Sequence, residues 1–121
     1  MIILSPGDIF YIYVTYIHDP HYKYIICICP DHPLFFFINT EPRRTKLDAQ
    51  LLIKKDDYPF LAYDSYINTG EMVTFGARAL QWAKWVGRLT AKTKAEILEI
   101  TKNSRYLPPL HCKKISENFS I

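Results

Sequence analysis

Glycine is scarce in this chain. There are four, and no two are neighbours, which excludes the glycine-rich phosphate loops of P-loop and dinucleotide-binding proteins. Cysteine is scarce too. Cys27, Cys29 and Cys112 are odd in number and lack the C-x₂-C spacing of a zinc site. Cys27 and Cys29 would point to the same face of one strand, a poor geometry for bonding to each other. Reduced thiols in a cytoplasmic protein are the simplest account. No apolar run approaches the ~18 residues of a membrane-spanning helix. Met1–Tyr16 is apolar, yet it has no basic n-region or small-residue cleavage site and is broken by Asp8, so it reads as a mature strand and not a signal peptide. There is no G-x-S-x-G elbow, no repeat, no low-complexity tract and no linker.

What is present is apolar and aromatic: 49% of residues are hydrophobic and 15% aromatic, against 22% charged, the balance of a globular chain. Its 121 residues have room for one core, hence one domain over 1–121. Charge is uneven. Residues 1–75 carry six Lys/Arg and nine Asp/Glu, and residues 76–121 carry nine Lys/Arg and three Asp/Glu. The basic C-terminal third is either a solvated helix face or a surface that attracts phosphates or an acidic protein.

Asp8–Ile17 reads as a strand apolar on both faces, Tyr22–Cys29 as a central strand and Leu34–Thr40 as a third, joined by Pro/Asp turns in an antiparallel meander. A basic loop over Glu41–Gln50 precedes a short strand at Leu51–Lys54. Two further strands, Phe60–Ile67 and Glu71–Phe75, flank Asn68-Thr69-Gly70, which reads as a hairpin loop. Gly76–Gly87 is assigned to a short helix. Thr90 caps a second helix over Ala91–Asn103, which Asn103 and Pro108-Pro109 end. The fold class expected is mainly β with a C-terminal helix, a small SH3-like barrel of about five to seven strands.

Several residues could carry chemistry. His18 and His21 flank the first turn and suit general acid or base work, or are ordinary turn residues. With His32 and the cysteines they show no metal-ligand spacing, so neither a metal nor another cofactor is expected. Thr40 with Arg43 and Arg44 places a hydroxyl and two guanidinium groups at a strand end, a pattern able to grip a phosphate, and Lys23 starts the neighbouring strand. Tyr22 and Tyr24 are candidates for stacking on bases or for packing within the sheet.

In chain order these pieces resemble the PemK/MazF family of toxin endoribonucleases. Pro6-Gly7-Asp8-Ile9 is similar to the family's opening GDI/V strand. Lys23-Tyr24-Ile25-Ile26-Cys27-Ile28 sits where the family has RPALVLS, and Phe36-Phe37-Ile38-Asn39-Thr40 looks like its VVPxT strand. The stretch from Asp64 to Thr74 resembles SxVxxDQIRTI, and Gly87-Arg88-Leu89-Thr90 resembles GxLS. The resemblance implies an SH3-like barrel, commonly a homodimer, that cleaves single-stranded RNA without a metal through attack of the 2′-hydroxyl. It also implies an antitoxin protein whose segment lies over the active groove. The family's catalytic threonine matches Thr40. Its catalytic arginine has no match: Lys23 holds the nearest position, behind His18-Asp19-Pro20-His21. Either His21 and Lys23 replace that arginine, or Arg43 or Arg44 reaches in, or the chain is a non-catalytic barrel that binds protein or nucleic acid.

Overall fold

Gly7 precedes the first strand with φ of +91°, a backbone conformation that a side chain would strain, and both its neighbours in the sheet use it. Its N–H donates to the Cys27 carbonyl at 2.7 Å and its carbonyl accepts from Leu89 N–H at 2.8 Å. From there the computed structural model, which describes residues 3–120, runs through three antiparallel strands. These are β1 (Asp8–Val14), β2 (His21–Cys29) and β3 (Leu34–Asn39). A 3-10 turn over Arg44–Ala49 occupies the basic loop and leads into β4 (Gln50–Ile53). Met1, Ile2 and Ile121, the ends of the 1–121 span, lie outside the described residues.

Four features differ from the sequence expectation. β5 (Ser65–Asn68) and β6 (Val73–Thr74) are not a hairpin. Both pair antiparallel with β3, Ile67 against Ile38 and Val73 against Phe35, so residues 69–72 are an excursion within one interrupted strand. A tight two-residue hairpin needs positive φ, and among the described residues only Gly7 has it. Second, the helix over Gly76–Gly87 shrinks to α1 (Ala77–Leu80), and Lys84–Arg88 is a strand, β7, along β1. Third, α2 (Ala91–Thr101) is followed by α3 (Pro109–Phe119). Pro109 starts this helix at a position where its missing N–H costs nothing, so it initiates where it was expected to terminate. Fourth, the sheet does not close into a barrel. Its strand order is β4-β5-β3-β2-β1-β7 with β6 beside β3, and β4 and β7 stand at the two ends of that order without pairing to each other among the described residues.

The protein is thus a seven-stranded antiparallel sheet with C-terminal helices, and β1–β3 are apolar on both faces because both are covered. One face carries Ile9, Ile26, Ile28, Phe36 and Ile38 against Ile97 of α2 and Ile115 and Phe119 of α3. The other carries Phe10, Ile12, Ile25, Cys27, Phe35 and Phe37 beneath Phe75 and Leu80. Asp8 is buried but satisfied, since its carboxylate accepts from Trp85 Nε1 at 3.2 Å, Arg88 Nε at 3.0 Å and Ser5 N–H at 3.1 Å. The three cysteines are unpaired thiols, and burial pushes that of Cys27 up to about 12, which leaves it inert at neutral pH. No helix among the described residues is long and apolar enough to cross a membrane.

Thr90 caps α2 through its Oγ1, which accepts from Thr93 N–H at 3.1 Å, and the Tyr58 hydroxyl ties the cap down by donating to Thr93 Oγ1 at 2.6 Å. Thr90→Ala is expected to cost about 1 kcal/mol. Urea unfolding followed by circular dichroism measures it, and an unchanged midpoint would show that the cap contributes nothing.

Candidate functional site

Strand alternation decides which side chains can meet. On β2, His21 and Lys23 lie on the face of Ile25 and Cys27, and on β3, Phe37 and Asn39 lie on that same face. Tyr24 pairs with Ile38, so Lys23 sits one step further along, beside Asn39. The turn after β1 brings up Tyr16, His18 and Asp19, the loop after β3 brings Arg43, and the interrupted strand contributes Asn68, Glu71, Met72 and Val73. These residues line one cleft of about 450 Å³.

Lys23 is half-buried at its centre. Its ammonium donates to Asn39 Oδ1 and lies over the Phe37 ring, 4.8 Å from the centroid. Loss of water around the ammonium, and then the charge of Arg43, hold its pKa below the ordinary lysine range. None of the ion pairs among the described residues involves it. His21 Nδ1 is 2.5 Å from the Asp19 carbonyl oxygen. A carbonyl only accepts, so Nδ1 carries the hydrogen and the neutral ring keeps its lone pair on Nε2.

The far wall is held by a polar frame. Gln50 accepts from Arg43 N–H at 3.1 Å and donates to Asn68 Oδ1 at 2.9 Å and to the Lys46 carbonyl at 3.2 Å. The Thr69 hydroxyl donates to the Ala49 carbonyl at 2.6 Å, and Lys46 Nζ donates to the Gly70 carbonyl at 3.3 Å. A Cβ at Gly70 would stand 2.9 Å from Lys46 Cδ and 3.2 Å from Ala49 Cβ, so a side chain there would displace the Lys46 chain and crowd Ala49.

The cleft therefore gathers His18, His21, Lys23 and Arg43. It does not gather the other sequence candidates. Thr40 is exposed past the end of β3, and Arg44 is exposed at the start of the 3-10 turn. Tyr22 and Tyr24 alternate with Lys23 onto the opposite face. There Tyr11 stacks on Tyr22 at 4.9 Å and lies 4.7 Å from Tyr24, and Tyr24 packs against Phe60 at 4.9 Å. Sequence reasoning missed Asn39, Asn68, Glu71 and Tyr16. Asn39 was within reach, because a meander that pairs β2 with β3 sets it opposite Lys23. Asn68 and Glu71 were hidden by the hairpin reading.

Among the described residues no three His, Cys, Asp or Glu side chains gather as metal ligands. No protein-family model matches the chain, and no curated protein matches it significantly in sequence. The fold and site define a small antiparallel sheet domain with a cleft lined by Lys23 and Arg43, by the carboxylates Asp19 and Glu71, and by two imidazoles.

Proposed function

We propose that this chain is a metal-free endoribonuclease acting on single-stranded RNA, the toxin of a toxin–antitoxin pair. The observation that carries the reading is that Arg43, from the loop after β3, lines the same cleft as His18, His21 and Lys23, which follow one another from the first turn into β2. Lys23 and Arg43 hold the non-bridging phosphate oxygens and offset charge as it grows on phosphorus. His21 Nε2 takes the proton of the 2′-hydroxyl, and His18 gives one to the departing 5′-oxygen. The O2′–P bond forms as the P–O5′ bond breaks, leaving a 2′,3′-cyclic phosphate and a 5′-hydroxyl. Lys23 takes the place that arginine holds in the PemK/MazF pattern. An antitoxin segment over the cleft, and a homodimer, belong to the same reading.

The position of Thr40 outside the cleft favours a second reading, a non-catalytic barrel-like domain that binds nucleic acid or protein. Tyr13 and Tyr22, 48% and 55% exposed on the opposite face, would be contact residues there.

Incubation of the purified protein with mixed-sequence single-stranded RNA in EDTA distinguishes the two. Products ending in 2′,3′-cyclic phosphate are expected, with His21→Ala slower by roughly 10²–10⁴-fold. A folded protein that binds RNA but leaves it intact would favour the second reading.

A further inference from the structure

Glu71 is one of two carboxylates, with Asp19, in the cleft proposed to take RNA. It lines the cavity with Lys23 and Arg43, yet none of the ion pairs among the described residues includes it. A carboxylate that will meet RNA needs donors supplied by the RNA itself. Asn68, the last residue of β5, is 2% exposed and lines the same cleft. The Gly70 N–H donates to Asn68 Oδ1 at 3.1 Å, and a backbone N–H can only donate, which fixes the oxygen end of the amide. Gln50 fills the second position on that oxygen. The Asn68 Nδ2 finds no acceptor among the described residues and is the end left for the cleft.

An amide donor and a two-oxygen acceptor lining one cleft form a pattern with few complements among the bases. Guanine presents O6 to the donor and two adjacent donors, N1–H and N2–H₂, to the carboxylate. Adenine has one exocyclic donor on that edge, and cytosine and uracil have one each. Tyr16, 60% exposed and resting on Phe75 at 6.0 Å, offers a ring face at the rim. The cavity volume suits a nucleotide. We infer, building on the ribonuclease reading, that the cleft contains a guanine subsite in which Asn68 and Glu71 read the Watson–Crick edge of a base in single-stranded RNA.

The test uses 2′-O-methyl pentamers, which bind but cannot be cleaved: UUGUU, UUAUU and the inosine form, which lacks the 2-amino group. Fluorescence anisotropy on the full chain should rank guanine over adenine by about tenfold, as expected of a bidentate contact, with inosine between. Glu71→Gln, which also removes a negative charge facing the RNA, should bring the guanine preference, read as the ratio of the two affinities, to near unity. Asn68→Asp, which preserves the acceptor for Gly70 and Gln50 but turns an oxygen toward the cleft, should do the same. Equal affinities, or a preference that survives Glu71→Gln, overturn the subsite. The 2′-hydroxyl pentamers run alongside: cleavage without base preference overturns the subsite alone, and base preference without cleavage overturns the reaction alone. No binding of any pentamer overturns both.

Discussion

Phe36→Ala is expected to lower the unfolding free energy by about 3–5 kcal/mol, the usual cost of emptying a buried phenylalanine site. Phe36 is fully buried among Ile9, Ile26, Ile38 and the helix residues Ile97 and Ile115. It sits on β3, the strand that pairs with β2, β5 and β6, so its side chain joins the sheet to the helices where the most strands meet. Relief by collapse is limited, because the neighbouring side chains are themselves fixed on paired strands. Against a total stability of roughly 5–15 kcal/mol for a domain, the variant would lie near its unfolding threshold. Phe36→Leu, which keeps most of the volume, should cost much less. Urea titration by circular dichroism reads both, and a loss below about 1 kcal/mol for alanine would mean that this face is not a single packed core.

The meander was legible because β1–β3 carry β-branched and aromatic residues on both faces, a pattern no amphipathic surface helix has. The two-sided burial seen here is its direct cause. β7 was not legible. Trp85 and Val86 stand there next to a true helical turn at Ala77–Leu80, and only pairing with β1 and the bonds to buried Asp8 fix the strand. α3 was lost for a different reason: proline ends helices from inside but begins them at the first position, and the sequence does not say which applies.

For the site, residue type was informative and facing was not. Lys23, His21 and Arg43 are conspicuous as charges near strand ends, and they converge. Tyr22 and Tyr24 were adjacent to Lys23 in sequence, but period-two alternation sends them to the other side of the sheet. Asn68 and Glu71 depend on an irregular excursion whose shape is set by distant partners, Gln50 and Lys46, through hydrogen bonds invisible to any local pattern.

Lys23→Ala is expected to reduce cleavage by roughly 10²–10³-fold, the scale of losing one charged donor to a developing oxyanion. Lys23→Arg should recover part of it, since charge returns but the contact with Asn39 is rebuilt differently. The pH dependence follows from the lowered pKa of the ammonium. Cleavage needs the protonated lysine, so its alkaline limb should appear below the ordinary lysine range, and Asn39→Asp, which sets a carboxylate against the ammonium, should move that limb upward. Stability runs the other way. Between the folded pKa and the higher unfolded pKa the unfolded chain binds more protons, so stability rises with pH across that window, and below it the charged lysine is a net cost to the fold. Lys23→Met should therefore lose the rise of stability with pH across that window together with cleavage. If Lys23→Met instead loses stability along with cleavage, the residue is part of the scaffold, and the phosphate must be held by Arg43 alone.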